Sequence, residues 1–166
     1  MRAIVGQFLL GGRAFRARPV DANGQPTWMV GQLQHLVHEA DSELRQELIE
    51  LLLDYDWAAI VTNIHWTRYA ADLDRRKYVF VCEVGTAHSL SNAHGARRYE
   101  LTDEPDSGAL WAYLWDSQAE SLHVYAAAHG RWHHVATFVP AVLAAANPRM
   151  SADIEVRRQW ALEAAA

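Results

Sequence analysis

The sequence predicts an α+β protein with a single antiparallel β-sheet of about six to eight strands in meander hairpins. A long or kinked helix and a C-terminal helix are expected to pack on one face of this sheet. Two-residue alternation of apolar side chains gathers in the middle of the chain, whereas helical spacing lies on either side of it. Strands and helices that are grouped in this way indicate α+β rather than alternating α/β structure.

A hairpin-like pattern that occurs twice supports the antiparallel sheet. In each copy an aromatic-bearing strand runs into an acidic turn and returns as an alternating strand. The first copy has Tyr69, Asp72, Tyr78 and Phe80, and the second has Tyr113, Asp116, Leu122 and Val124. The match indicates two hairpins of similar geometry, from a duplication or from shared turn constraints.

Length and composition indicate one globular domain over residues 1–166. Hydrophobic residues make up 51% of the chain and charged residues 21%, which excludes extended disorder. A domain of this size buries about 70% of the surface that its unfolded chain exposes. The apolar segment Ala3–Leu10 contains Gln7 and is far shorter than the roughly 20 residues of a membrane span, so no membrane association is expected.

The N-terminal third is predicted to form a hairpin followed by helical structure. Ala3–Phe8 and Ala14–Pro19 flank Gly11 and Gly12, a pair typical of a turn. Thr27 is the expected N-cap of a first helix. Asp41-Ser42 offers a second cap, so the region holds either two helices or one kinked helix. The apolar stripe after that cap consists of Leu44, Leu48, Leu51, Leu52 and Tyr55.

The remaining sequence predicts the sheet and the C-terminal helix. A strand starts at Trp57 and a second runs over 77–84, while Gly85–Gly95 is rich in Ser, His and Gly and is expected to be a loop. A short strand is expected over Arg97–Thr102. A three-stranded meander is predicted from Leu110–Trp115, Ser121–Ala127 and Trp132–Phe138, and a tail helix from Ile154–Ala164.

Charge distribution points to a possible docking face. The net charge of −5 argues against nucleic-acid binding, which depends on clustered positive charge. All the charged residues before Asp21 are basic, whereas acids dominate the second helical region. This acidic helix is either an ordinary solvated surface or a docking face for a basic protein partner. The candidate partner-binding residues are Glu39, Glu43, Glu47 and Glu50.

Aromatic and histidine side chains in the meander form a second candidate site. Alternation places Trp111, Tyr113 and Trp115 on one face of their strand. His123, Tyr125 and His134 of the following strands are expected to join them. Such a cluster either fills the core or lines a pocket for an aromatic or apolar small ligand. One of the histidines in a pocket could act as a general base.

Motifs for metals, cofactors and covalent catalysis are missing from the sequence. His35, His38 and Glu39 have a spacing that can converge on a metal, but the zincin order and a third ligand are lacking, so no metal is predicted. No nucleotide or cofactor fingerprint occurs, and no cofactor is expected. The lone Cys82 cannot form an internal disulfide, which favours a cytoplasmic protein.

The leading functional hypothesis is a small bacterial interaction protein, of an inhibitor or immunity type, that uses the acidic helix and the aromatic sheet face. Arginine supplies every basic residue except Lys77, a composition typical of GC-rich bacterial genomes. The first alternative is a small-molecule-binding protein or enzyme with the aromatic and histidine pocket. The second is an assembly subunit, because both faces of the meander look apolar and an oligomer is therefore possible. The residues leave open whether the chain is an enzyme.

Overall fold

The computed structural model describes residues 1–37, 41–61, 78–81, 84–88, 95–105 and 108–139. Within these residues the chain forms a sheet of nine strands and two helices. The strands are β1 (Arg2–Phe8), β2 (Ala14–Val20), β3 (Trp57–Ile60), β4 (Tyr78–Val81), β5 (Gly85–His88), β6 (Arg97–Glu100), β7 (Ala109–Asp116), β8 (Ser121–Ala128) and β9 (Arg131–Phe138). The helices are α1 (Pro26–Val37) and α2 (Ser42–Asp54).

The sheet is mixed, so the prediction of a single antiparallel sheet is wrong. Its strand order is β4-β5-β3-β2-β1-β7-β8-β9, with β6 paired to the first half of β2. The central pair β1–β7 is parallel, and Val20 at the end of β2 meets β3 in parallel. Alternation along a strand indicates which side chains share a face, but it does not specify the neighbouring strand. Partners distant in sequence therefore decided the strand directions.

The prediction of one long or kinked helix is also wrong, and the alternative of two helices in this region is correct. In the described residues they are separate and short, with 12 residues in α1 and 13 in α2. Neither is long and apolar enough to cross a membrane. Helix α1 begins at Pro26, one residue before the predicted Thr27 cap, because proline is well tolerated in a first turn. The predicted C-terminal helix over 154–164 lies outside the described residues.

The predicted loop Gly85–Gly95 begins with a strand instead. Strand β5 pairs with β4 on one side and β3 on the other, and Thr86 and Ala87 are buried there. Gly85 and Ala87 have weak strand propensity, and pairing on both sides overrides it. The second copy of the repeated hairpin is confirmed as β7–β8. In the first copy β4 pairs with β5, and the predicted turn over 72–76 lies outside the described residues.

Both faces of the sheet carry buried apolar side chains. We call the face that packs against α1 and α2 the helix face, and the opposite one the second face. The helix-face core includes Val5, Met29, Leu33, Ile49, Leu52, Trp57, Trp111, Tyr113 and Val124. The second-face core consists of Ile4, Phe15, Ala17, Tyr99, Ala109, Ala112 and Leu114.

Candidate functional site

The C-terminal end of α2 is held by Arg18, a buried arginine of β2 with 4% of its side chain exposed. Its Nε donates to the carbonyl of Leu53 at 2.8 Å and its Nη2 to that of Asp54 at 3.4 Å. Its Nη1 forms a 2.9 Å ion pair with Asp56. Arg18 therefore satisfies helix-end carbonyls and places positive charge at the negative end of the helix dipole.

The N-terminal end and the middle of α2 are tied to the turn between β7 and β8. Asp41 caps the helix, as predicted, by accepting from the Leu44 amide at 2.9 Å. Arg45 donates to Glu120 at 3.2 Å. Gln46 accepts from Ser117 at 2.7 Å and from the buried Gln7 at 3.1 Å. The inward side of α2 is thus fixed to the sheet along the whole helix.

One of the predicted partner-binding acids is engaged inside the chain. Glu50 forms a 3.2 Å ion pair with Arg16 and accepts from Gln46 at 3.0 Å. Together with the Arg18–Asp56 pair, this contact joins the basic hairpin to the acidic helix. Part of the charge segregation in the sequence therefore serves intramolecular attachment. Glu39 of the predicted set lies outside the described residues.

The outer face of α2 carries a second arrangement of charge, which we call the acidic column. It consists of Glu43, Glu47 and Asp54, which are exposed and lie on one side of the helix at positions i, i+4 and i+11. Glu50 lies on the same side between Glu47 and Asp54, and it is the acid of this line that pairs with Arg16. Among the described residues, none of the three carboxylates of the acidic column forms an ion pair or accepts a hydrogen bond. They differ in this respect from Glu50 and Asp56, whose charges are paired.

A line of leucines, the leucine column, runs beside the acidic column. It consists of Leu44, Leu48 and Leu51 at the i, i+4, i+7 spacing of one helix side. Leu44 is 46% exposed, and the other two are half-buried at the margin of the helix-face core. Both columns line an open groove of about 770 Å³ whose described lining residues all belong to α2.

The predicted ligand-binding set is divided between the two faces of the sheet. Strand register pairs Leu114 with His123 and Tyr113 with Val124, so His123 lies on the face opposite to Tyr113. Trp111, Tyr113 and Trp115 lie in the helix-face core, where they are almost fully buried. His123, Tyr125 and His134 lie together on the second face.

The three β7 aromatics have the contacts of core side chains. The Tyr113 hydroxyl donates to the Gly24 carbonyl at 2.9 Å, and Trp111 Nε1 lies 3.2 Å from Met1 Sδ. Buried tyrosine and tryptophan normally satisfy their polar atoms in this way. Trp111, Tyr113 and Trp115 therefore fill the space between sheet and helices and present no surface to a ligand.

A β-bulge in β9 brings the second-face cluster together. His134 pairs with Tyr125 and Ala136 pairs with Val124, which leaves Val135 as an extra residue. The extra residue places both His134 and Thr137 on the second face. Phe138, which strict alternation would put beside His134, lies in the helix-face core instead.

The cluster contains a chain of hydrogen-bonding groups. The Ser121 hydroxyl is 3.1 Å from His123 Nε2, and Thr137 Oγ1 is 3.3 Å from His123 Nδ1. Thr137 Oγ1 is also 2.8 Å from His134 Nε2. Phe8 packs edge-on against His123 with ring centroids 5.6 Å apart, and Tyr125 lies edge-on against His134 at 5.2 Å. The cluster is therefore a hydrogen-bonded chain of two histidines and two hydroxyls, which we call the relay, and the rings of Phe8 and Tyr125 lie beside it.

Burial shifts the ionisation of two members. Desolvation lowers the pKa of His123 below 6.5, and the nearby Asp116 carboxylate opposes this only in part. Desolvation raises the pKa of the Tyr125 phenol above 10.0. His123 is consequently neutral near pH 7 and can accept a proton at one nitrogen while it donates at the other.

The relay can move a proton, but it does not form a nucleophilic site. A serine at Nε2 and an orienting group at Nδ1 resemble the arrangement of a nucleophile and its general base. The third group here is a hydroxyl rather than a carboxylate, and Ser121 is only 4% exposed. A substrate on the surface would meet His134, Thr137 and the ring of Tyr125 rather than Ser121.

The sequence analysis did not predict several residues of these two regions as members of a site. Thr137 was missed because a bulge cannot be seen in an alternating pattern, whereas the i, i+2 spacing of Ser121 and His123 was a usable signal. The predicted apolar stripe of this helix includes Leu44, Leu48 and Leu51 without separating them from the side chains that face the sheet. The inward side consists of Ile49, Leu52 and Leu53, and a helical projection of the sequence would have separated the two groups.

The metal candidates from the sequence are not assembled in the described part of the chain. His35 belongs to α1, while His38 and Glu39 lie outside the described residues. No group of three or more potential ligands from His, Cys, Asp and Glu occurs among the residues that the structure describes.

Comparisons of this chain with protein-family models, with curated proteins and with solved structures find no match.

Proposed function

We propose that this protein is a small non-catalytic binding protein that docks a basic protein partner on the outer face of α2. The observation that carries the proposal is the difference in charge pairing along one helix. Glu50 and Asp56 are neutralised by arginines of β2, whereas Glu43, Glu47 and Asp54 point outward without a partner among the described residues. Unpaired charges of one sign in a row favour association with an oppositely charged surface.

The rigid attachment of α2 supports this use. The helix is capped by Asp41, fixed by Arg18 at its other end, and linked to the sheet through Gln46. A recognition surface on an element that does not reorganise loses little conformational entropy when it binds. An inhibitor or immunity protein of the bacterial cytoplasm, as the lone Cys82 and the arginine-rich composition suggest, would act in this way.

Charge reversal on the full-length protein tests the proposal. The probe is a labelled lysine-rich peptide of about 14 residues, with binding followed by fluorescence anisotropy. Glu43→Lys combined with Glu47→Lys should weaken binding at least about tenfold. Glu104→Lys combined with Asp103→Lys makes the same charge change elsewhere on the exposed surface and should have little effect. Equal loss in both double variants would contradict docking on α2.

Ligand binding on the second face is a second candidate function. The observation that favours it is the convergence of His123, His134 and Thr137 beside the ring of Tyr125. The exposed part of this cluster suits a small aromatic compound with a hydrogen-bonding group. NMR of the histidine imidazoles during titration with phenol and benzoate tests it. Shifts confined to His123 and His134 would support the site, and unchanged resonances would contradict it.

The described residues give less support to the assembly-subunit alternative than to docking on α2. It depended on apolar residues on both faces of the meander, and both faces carry buried cores. In the described part of the chain the large hydrophobic side chains that remain exposed are Met1, Leu10, Leu44 and Val139.

A further inference from the structure

We infer that the partner presents an amphipathic α-helix to α2, with basic side chains over the acidic column and apolar side chains over the leucine column. This inference rests on the proposed function and specifies the form of the partner. It commits to a separate protein as the occupant of the groove.

The parallel course of the two columns is the first argument. Glu43 and Asp54 mark the ends of the acidic column, which spans about 16 Å of helix axis. The leucine column lies beside it between Leu44 and Leu51, over about 10 Å of helix axis. A partner must therefore carry a basic line and an apolar line side by side for about two helical turns. One amphipathic helix has both lines on adjacent sides.

The second argument concerns the shape of the surface. Leucines at i, i+4 and i+7 form a ridge of the kind that fits between the side-chain ridges of another helix. An extended segment obtains its affinity mainly from backbone hydrogen bonds to an open strand edge. Helix α2 has no such edge, because its backbone groups are already paired within the helix. The surface therefore suits a helix better than a strand.

The third argument is the combination of apolar and acidic lining. Leu44 is 46% exposed beside the exposed Glu43 and Glu47. A purely basic and flexible segment would neutralise the carboxylates but leave Leu44 in water. An apolar helix without basic residues would remove the carboxylates from water without compensation. Only an occupant with both properties satisfies the whole groove.

The experiment uses the full-length protein and two labelled peptides. The first has leucines at helical i, i+3, i+4 and i+7 spacing with lysines on one flank, and the second has the same composition in scrambled order. Binding is measured by anisotropy at about 0.05 M and about 0.3 M salt. We expect the ordered peptide to bind at least about tenfold more tightly than the scrambled one, and to become helical by circular dichroism when bound.

Variants separate this inference from the proposed function. Leu44→Ser should weaken binding of the ordered peptide at least about fivefold. It should leave binding of the scrambled peptide unchanged. Leu10→Ser, at a hairpin tip where the leucine is 89% exposed, is the control and should change neither. Glu43→Lys combined with Glu47→Lys could weaken binding of both peptides while the sequence order of the peptide and Leu44→Ser have no effect. In that case the inference of an amphipathic helix is wrong and the proposal of an acidic docking face stands. If charge reversal also has no effect, both are wrong.

One further outcome concerns a different occupant. Leu44→Ser is expected to leave the melting temperature of the unbound protein within about 2 °C of the original, as for a surface substitution. A fall as large as that of Leu52→Ala, which affects a buried leucine, would mean that the chain itself already covers the groove. That result would overturn docking of a separate partner.

Discussion

Arg18 and Arg16 show at the residue scale that the same residue type has different roles on one strand. Both side chains extend from β2 toward α2, two positions apart. Arg18 is buried and its guanidinium binds two carbonyls and a carboxylate. Arg16 forms an exposed pair with Glu50. Their contributions to stability should therefore differ strongly.

We expect Arg18→Ala to reduce the free energy of unfolding by about 3 kcal/mol, because helix-end carbonyls lose charged donors in a buried place. Arg16→Ala is the matched control and should cost no more than about 1 kcal/mol, as is usual for an exposed ion pair. Urea denaturation measures both. Equal losses would show that Arg18 does not secure the end of α2.

His123 should make stability depend on pH. Burial holds its folded-state pKa below the ordinary value of 6.5, so the unfolded chain takes up the proton first as the pH falls. Stability due to neutral His123 is present above pH 6.5 and is lost as the pH falls below 6.5 toward the folded-state pKa.

The measurement compares the original protein with His123→Gln by urea denaturation at about pH 7.5 and about pH 5.5. The variant should lose less stability over this interval, since other groups titrate equally in both proteins. Direct NMR titration of the His123 imidazole should give a pKa below 6.5. An identical fall in both proteins would contradict the burial argument.

Two glycines show at the element scale how regular structure is constrained by its neighbours. Gly6 lies in β1, where an added Cβ would collide with the Arg16 carbonyl oxygen of β2. Gly31 lies in α1, and an added Cβ there would meet nothing within 4 Å. The same substitution should therefore have opposite effects in the two elements.

Gly31→Ala should raise the free energy of unfolding by about 0.5–1 kcal/mol, the difference in helix propensity between the two residues. Gly6→Ala should lower it by about 2 kcal/mol or more, because the strands must separate to admit the methyl group. Thermal unfolding followed by circular dichroism gives both values. Destabilisation by Gly31→Ala would mean that α1 is closely covered at this position.

Local features of the elements were predictable from the sequence, whereas the way in which one strand fits another was not. The strands of the hairpin β7–β8 and the cap of α2 at Asp41 were predicted, because turn residues and capping residues act locally. The β9 bulge at Val135 was not predicted, since it depends on how β9 fits β8. Strict alternation would place Phe138 on the same face as His134, whereas Phe138 lies on the other face.

At the scale of the whole molecule, the sheet separates two cores rather than one core and a free surface. Leu114 on the second face is as buried as Leu52, which packs under the helices. We expect Leu114→Ala and Leu52→Ala each to cost about 2–5 kcal/mol in the free energy of unfolding, as buried leucines do. Chemical denaturation tests this. A cost below about 1 kcal/mol for Leu114→Ala would show that the second face is not a core.

The candidate sites were predictable only in part. Glu43 and Glu47 were identified because acids clustered on one helix are visible in a sequence, whereas the pairing of Glu50 with Arg16 required the fold. His123, Tyr125 and His134 were identified as residues of interest. Their separation from Trp111 and Tyr113 depended on strand register. An offset of one residue in the register moves every side chain of a strand to the other face.

Local chemistry in the sequence was sufficient to determine the hairpin β7–β8, the boundary of α2 at Asp41, and the segregation of basic and acidic residues. These features depend on residues near each other in the chain. The tertiary structure decided that β1 runs parallel to β7, that Arg16 and Arg18 bind the acidic helix, and that Glu43, Glu47 and Asp54 face outward. Such outcomes depend on which distant segments pack together, and no local pattern encodes the choice of partner.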